Sequence, residues 1–153
     1  MGKLRKLLKL SPADILLLVR VAGLLVIVDF GLRLLPLQML QATLARRRRR
    51  WRTQQTADGR PLGRLVWAVE VAGGHMGVSC LKKALTLQWA LSRHGVSTSL
   101  WLGVLPGGAA LRAHAWLEQN GSVIIGGAVS EGYTPLHCFE GGEALAEKVG
   151  RAR

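Results

Sequence analysis

Cysteine is nearly absent from this 153-residue chain: Cys80 and Cys138 are the only two. That scarcity excludes a disulfide framework and fits a reducing cytoplasm. The chain also shows no cleavable signal peptide. There is no CxxC pair and no tight His/Cys cluster, so structural zinc has no support, and neither a metal nor another cofactor is expected. Acidic residues are scarce in one part only. Residues 1–60 hold 13 Lys/Arg against 3 acidic residues, a net of +10, whereas residues 61–153 hold 8 against 6, a net of +2. The basic character therefore belongs to the first segment, and the second has the near-neutral balance of an ordinary enzyme domain. Apolar residues are plentiful at 49%, which argues against wholesale disorder and allows a real core.

The first segment also lacks an unbroken membrane-length run. It reads as helical from Met1 to Arg50, with a helix start at Ser11-Pro12-Ala13-Asp14: Ser11 as N-cap, Pro12 at the first helical position, Asp14 at the positive dipole end. The Leu- and Val-rich stretch from Ile15 to Leu44 is interrupted by Arg20, Asp29 and Arg33. A span needs about 20 consecutive apolar residues, and each central charge costs roughly 2.5–3.5 kcal/mol on insertion scales. A helix or helix pair packed on the body of the protein or on a partner is the expectation. Arg46 to Arg50, with Trp51-Arg52, reads either as a solvated helix end and linker or as a contact for an anionic membrane surface or nucleic acid. The polar Thr53–Pro61 stretch, with the turn signal Asp58-Gly59, marks a boundary. The expected organisation is a helical, apolar and basic segment over 1–52, a linker over 53–61, and a second domain over 62–153.

Within that domain Leu62–Val71 is predicted to be a helix ending before Gly73-Gly74. Ser79–His94 is a second, with Leu81, Ala84, Leu85, Gln88 and Leu91 at helical spacing and Gly95 as its stop. Ser97–Leu105 and Leu111–Glu118 read as strands, and Asn120-Gly121 turns the second into a third over Ser122–Ile125. A helix followed by an antiparallel meander is an α+β domain. Lys82 and Lys83 are expected on a solvated helix face, with Trp89, Trp101 and Cys138 in the interior.

The chemistry-bearing pair is Cys80, at the start of the second helix, and His114, on the second strand. Unpaired N–H groups in a first helical turn, with Ser79 as cap, stabilise a thiolate and can donate to an oxyanion when a carbonyl is attacked. His114 can take the thiol proton and return it to a leaving amine. The plainer reading of each residue is structural, because cysteine is among the most buried residue types. Taken together they suggest a cysteine-nucleophile enzyme of the papain or transglutaminase kind.

Three runs narrow this. Ser79-Cys80-Leu81-Lys82-Lys83-Ala84-Leu85, Leu102-Gly103-Val104 and His114-Ala115-Trp116-Leu117-Glu118 resemble the leader-peptidase B proteins of lasso-peptide biosynthesis, in the transglutaminase-like branch of cysteine peptidases. The Leu/Arg-rich N-terminal segment with Leu35-Pro36-Leu37 is similar to that family too. The resemblance implies a papain/transglutaminase-like fold in which the helix bearing the cysteine packs on a small antiparallel sheet. It also implies a peptidase that removes the leader from a ribosomal precursor peptide, with Cys80 as nucleophile and His114 as base. Nothing ahead of Leu62 resembles a fused winged-helix recognition domain, so the implied partners are the precursor, a separate winged-helix leader-recognition protein and an ATP-dependent, asparagine-synthetase-like cyclase. Nucleic acid is not among them, and peripheral membrane contact is compatible with the basic segment.

The third catalytic place departs from the family. Many relatives carry an Asp about a dozen residues after the histidine, where this chain has Ile125-Gly126-Gly127. With a two-residue turn, Glu118 pairs with Val123 and His114 with Gly127, so Glu118 lies roughly 13 Å along the strand from His114 at about 3.3 Å per residue. Glu131, after the hairpin, can fold back; a backbone carbonyl can instead orient the imidazole. Trp116 shares a strand face with His114 and is a candidate roof over the substrate or a core aromatic. His75, in the loop before Cys80, is a candidate lining residue or incidental. Two other functions remain open: a non-catalytic scaffold recruiting precursor and cyclase, and a basic membrane- or nucleic-acid-binding protein.

Overall fold

The computed structural model describes residues 11–43, 60–105, 112–127 and 132–140. Its helices are α1 (Pro12–Leu34), α2 (described over residues 37–43), α3 (Arg60–His75) and α4 (Cys80–Ser92). Its strands are β1 (Ser99–Leu105), β2 (Arg112–Gln119), β3 (Ser122–Ile125) and β4 (Thr134–Glu140), in one antiparallel sheet of order β3-β2-β1-β4.

Local signals place most of these elements. The Ser11 hydroxyl accepts from the Ala13 N–H at 3.4 Å, and the Asp14 carboxylate accepts from the Ser11 N–H at 3.3 Å, closing a capping box on α1. Pro36, just past the end of α1, stops the helix, and the chain resumes helix at residue 37. Arg60 and Pro61, expected in the linker, already belong to α3. Gly95 adopts φ +72° after α4, as a left-handed stop requires, and Asn120 and Gly121 both take positive φ in the hairpin turn.

α4 is the centre of the molecule. It touches α1, α3, β1 and β2, and Ala84 through Gln88, Ala90 and Leu91 are all buried. One hydrophobic cluster joins Val21, Leu25 and Val28 of α1, Leu65 and Val69 of α3, Leu85 and Leu91 of α4, and Leu100, Ala115, Leu117 and Ile125 of the sheet. The result is an α+β fold of the papain/transglutaminase-like kind, with the cysteine-bearing helix against a small antiparallel sheet.

Besides its earlier start, α3 runs through Gly73-Gly74 to His75 rather than ending before them, and two features of the packing also differ from expectation. Lys82 and Lys83 do not form a free solvated face. Lys82 pairs with Asp29 of α1, and the Lys83 ammonium lies 3.0 Å from the Glu70 carboxylate of α3. Adjacent lysines point about 100° apart around a helix, so each reaches a different neighbouring helix. The Lys83 stem also packs against Gly73, 2.9 Å from where a Cβ there would stand. The second difference is β4, which lies on the far edge of the sheet against β1. Its Pro135 disguises it in sequence, but proline is tolerated on edge strands, and the β1–β4 register shifts between Leu102 and Gly103, beside the Pro135 pairing.

Candidate active site

Cys80 is the first residue of α4, delivered there by a tight connection from α3. The Val78 N–H donates to the Gly73 carbonyl at 3.1 Å, and Gly77 turns the chain with φ +62°. Ser79 has the extended backbone of an N-cap, yet its side chain makes no capping hydrogen bond. The expected serine cap is therefore positional only: the hydroxyl is not what satisfies the first-turn N–H groups, which surround the cysteine and are suited to an anion.

His114 is placed by β2, opposite Gly103 of β1. Ala115 and Leu117 belong to the cluster around α4. His114 and Trp116 are one residue out of phase and take the other face of the strand. On that face the His114 and Trp116 rings stack with centroids 6.3 Å apart, Trp101 stacks beyond Trp116, also at 6.3 Å, and Tyr133 lies 5.3 Å from the histidine ring. Trp116 is only 6% exposed and does not line the cavity described below; it is a wall behind the imidazole. Its indole N–H donates to the Glu118 carboxylate at 3.0 Å, so Glu118 serves the tryptophan.

Cys80 and His114 both line one cavity, about 440 Å³ in volume. Its helical side is Glu70, Val78, Cys80 and Lys83, and its sheet side is His114, Ala115 and residues 123–127. Their side chains are not hydrogen-bonded to each other in this state; the two residues border one open space. Catalytic contacts of this kind often tighten only when substrate is bound.

The imidazole is held from behind. The ladder between β2 and β3 shifts register between Leu117 and Glu118: Glu118 faces Val123, but Leu117 faces Ile125. The simple continuation that would set His114 against Gly127 is thereby displaced. Beyond the shift the Gly126 carbonyl lies 3.0 Å from His114 Nε2. Gly126 has φ +82°, and a Cβ there would stand 2.9 Å from the Ala115 carbonyl oxygen; only glycine lets the chain pass that close. A carbonyl only accepts, so Nε2 carries the proton and Nδ1 is left with its lone pair, able to act as base. A backbone carbonyl was among the sequence-based expectations for this place, but the residue supplying it was not legible, because glycine shows no functional side chain.

The remaining candidates fall elsewhere. His75 Nδ1 lies 2.8 Å from the Val71 carbonyl of its own helix, and the residue does not line the cavity. Glu131 lies outside the described residues. Cys80 and Cys138 form no disulfide with each other. Sequence reading missed the Glu70–Lys83 pair on the cavity wall; its two members are 13 positions apart and on different helices.

Residues 24–138 match the sequence model of the transglutaminase-like superfamily, which typically includes cysteine hydrolases and transferases. No curated protein and no solved structure matches the chain.

Proposed function

This chain belongs to the transglutaminase-like superfamily, and on that footing we propose that it is a cysteine peptidase that removes the leader from a lasso precursor peptide. The observation that carries the reading is the single cavity bordered by Cys80 at its helix start and by His114, whose imidazole is oriented by the Gly126 carbonyl. The substrate class rests on the resemblance of the three sequence runs to the B proteins of lasso-peptide biosynthesis.

In this mechanism His114 Nδ1 takes the Cys80 proton and the thiolate sulfur adds to the scissile carbonyl carbon. The carbonyl π electrons move to oxygen, where N–H groups of the first turn of α4 can receive the charge. The C–N bond then breaks, the amine nitrogen takes the proton from the imidazolium, and the core peptide leaves with a free N-terminus. Water, deprotonated by the same imidazole, opens the thioester, releasing the leader acid and regenerating the thiol. No cofactor is needed. The free amine is what an ATP-dependent, asparagine-synthetase-like cyclase would use for macrolactam closure, and a separate winged-helix protein would present the leader. Such a protein would act in the cytoplasm.

The test is mass spectrometry of precursor incubated with the purified protein, with and without its recognition partner. Cleavage is expected to fall by about a thousandfold or more in Cys80→Ala and comparably in His114→Ala. Cleavage that persists in Cys80→Ala would refute the peptidase; wild-type protein that binds precursor and cyclase without cutting would point to a scaffold. That second reading draws on one observation, the lack of a carboxylate partner for His114 among the described residues.

A further inference from the structure

The outward side of α1 has no work inside the molecule. Val21, Leu25 and Val28 face the core, and the opposite stripe is Ile15, Leu16, Val19, Val26, Ile27 and Phe30, each between 46% and 63% exposed. These six residues span positions 15–30 of the 23-residue helix, about 24 Å at 1.5 Å per residue, with Arg20 and Arg33 as the charged residues on the same exposed side. An uncovered apolar surface of that length on a folded domain marks a contact with something else.

We infer that this stripe is a docking surface for an anionic phospholipid membrane, on which the protein lies as a peripheral protein. Charge complementarity selects that occupant. In sequence, Lys3, Arg5, Lys6 and Lys9 precede α1, and Arg46 to Arg50 and Arg52 follow α2, so the apolar stretch is flanked along the chain by two cationic runs. Beside its first turns lies a second cavity of about 350 Å³, with an apolar floor including Leu17 and Leu65 and with Arg20, Arg64 and His94 as its polar lining. Leu16 and Arg20 belong both to this cavity and to the exposed side of α1. Arg64 is paired with Asp14, whereas Arg20 has no ion-pair partner among the described residues. Apolar residues entering the acyl boundary with Lys/Arg at the headgroup level is the chemistry of an interfacial helix.

By length and composition α1 could also cross a membrane. Crossing would require it to leave α3 and α4, taking Val21, Leu25 and Val28 out of the core and Asp29 away from Lys82. Lying on the surface requires no such rearrangement.

The experiment is flotation of the full-length protein with vesicles of phosphatidylcholine alone or mixed with one-third phosphatidylglycerol. Binding is expected to the mixed vesicles, to weaken with salt because each basic residue near such a surface contributes roughly fivefold in partitioning, and to be released by alkaline carbonate. Phe30→Glu and Val26→Glu are expected to lower partitioning by about tenfold or more, with thermal unfolding and precursor cleavage in solution unchanged. Should Phe30→Glu melt early, Val19→Ser, 63% exposed, replaces it and is expected to weaken binding without loss of fold. Equal binding to both vesicles, binding indifferent to these substitutions, or carbonate-resistant insertion would each overturn the inference. So would a wild-type dimer that Phe30→Glu turns into a monomer, since the stripe would then belong to a second copy.

Discussion

α4 and α1 are both rich in apolar residues, yet only α4 is enclosed. Seven of its 13 residues are buried, against three of 23 in α1. α4 is packed by α1, α3 and the sheet and exposes chiefly its first turn, where Cys80 meets the cavity. α1 gives one face to the core and leaves an equally apolar face uncovered. The difference teaches that hydrophobicity read along a chain reports how much apolar surface must be hidden, not whether the fold hides it. For α4 the fold is the answer; for α1 it is half of the answer.

The comparison breaks most sharply between two neighbours on α1. Leu25 is 0% exposed and Val26 is 46% exposed. Leu25→Ala is expected to cost about 2–5 kcal/mol in denaturant unfolding, through lost transfer energy and the cavity left behind, whereas Val26→Ser should stay within about 0.5 kcal/mol. Equal losses would mean that the outer face of α1 is packed in solution and that the contrast with α4 is false.

A second test concerns the exposed end of α4 and the strand exit that faces it. Gly126→Ala places a Cβ against the Ala115 carbonyl at a left-handed φ; a cost of about 1–3 kcal/mol is expected, together with a fall in kcat as the carbonyl swings away from His114. Unchanged kcat and a shift in stability alone would reduce Gly126 to a turn residue.

The smallest effect is a pH dependence at the link between the two helices. The hydrogen bond from Lys82 holds the Asp29 carboxyl below its usual 3.8, partial burial opposes this, and the Arg33 and Lys82 charges add to the lowering. A carboxylate depressed by folding contributes stability fully above its unfolded value, and that contribution is lost as pH falls through the folded one. The stability gap between wild type and Asp29→Asn should thus be constant near neutrality and narrow below about pH 4. A gap that widens on acidification would show that Asp29 is not held as an ion by Lys82.

Much of this was legible along the chain. Ser11-Pro12-Ala13-Asp14 started a helix, Asn120-Gly121 turned a hairpin, and Cys80 opened a helix, because capping and turn geometry involve groups within about four positions of one another. β4 was not legible: Pro135 removes an amide that only a central strand would need, and nothing local says that Thr134–Glu140 will lie on the free edge of β1. Lys82 and Lys83 read as solvated because their partners, Asp29 and Glu70, are distant in the chain.

By itself the sequence determined most of the elements, though not β4, together with the thiol at a helix start, the histidine on a strand and the uneven charge. All of these follow from side-chain chemistry and short-range backbone preference. Only the tertiary structure decided that Cys80 and His114 share a cavity, that a glycine carbonyl stands behind the imidazole, and that one face of α1 is covered while the other is bare. Those outcomes depend on which surfaces meet when distant segments pack, and a register shift of one residue between β2 and β3 is enough to change what lies behind His114.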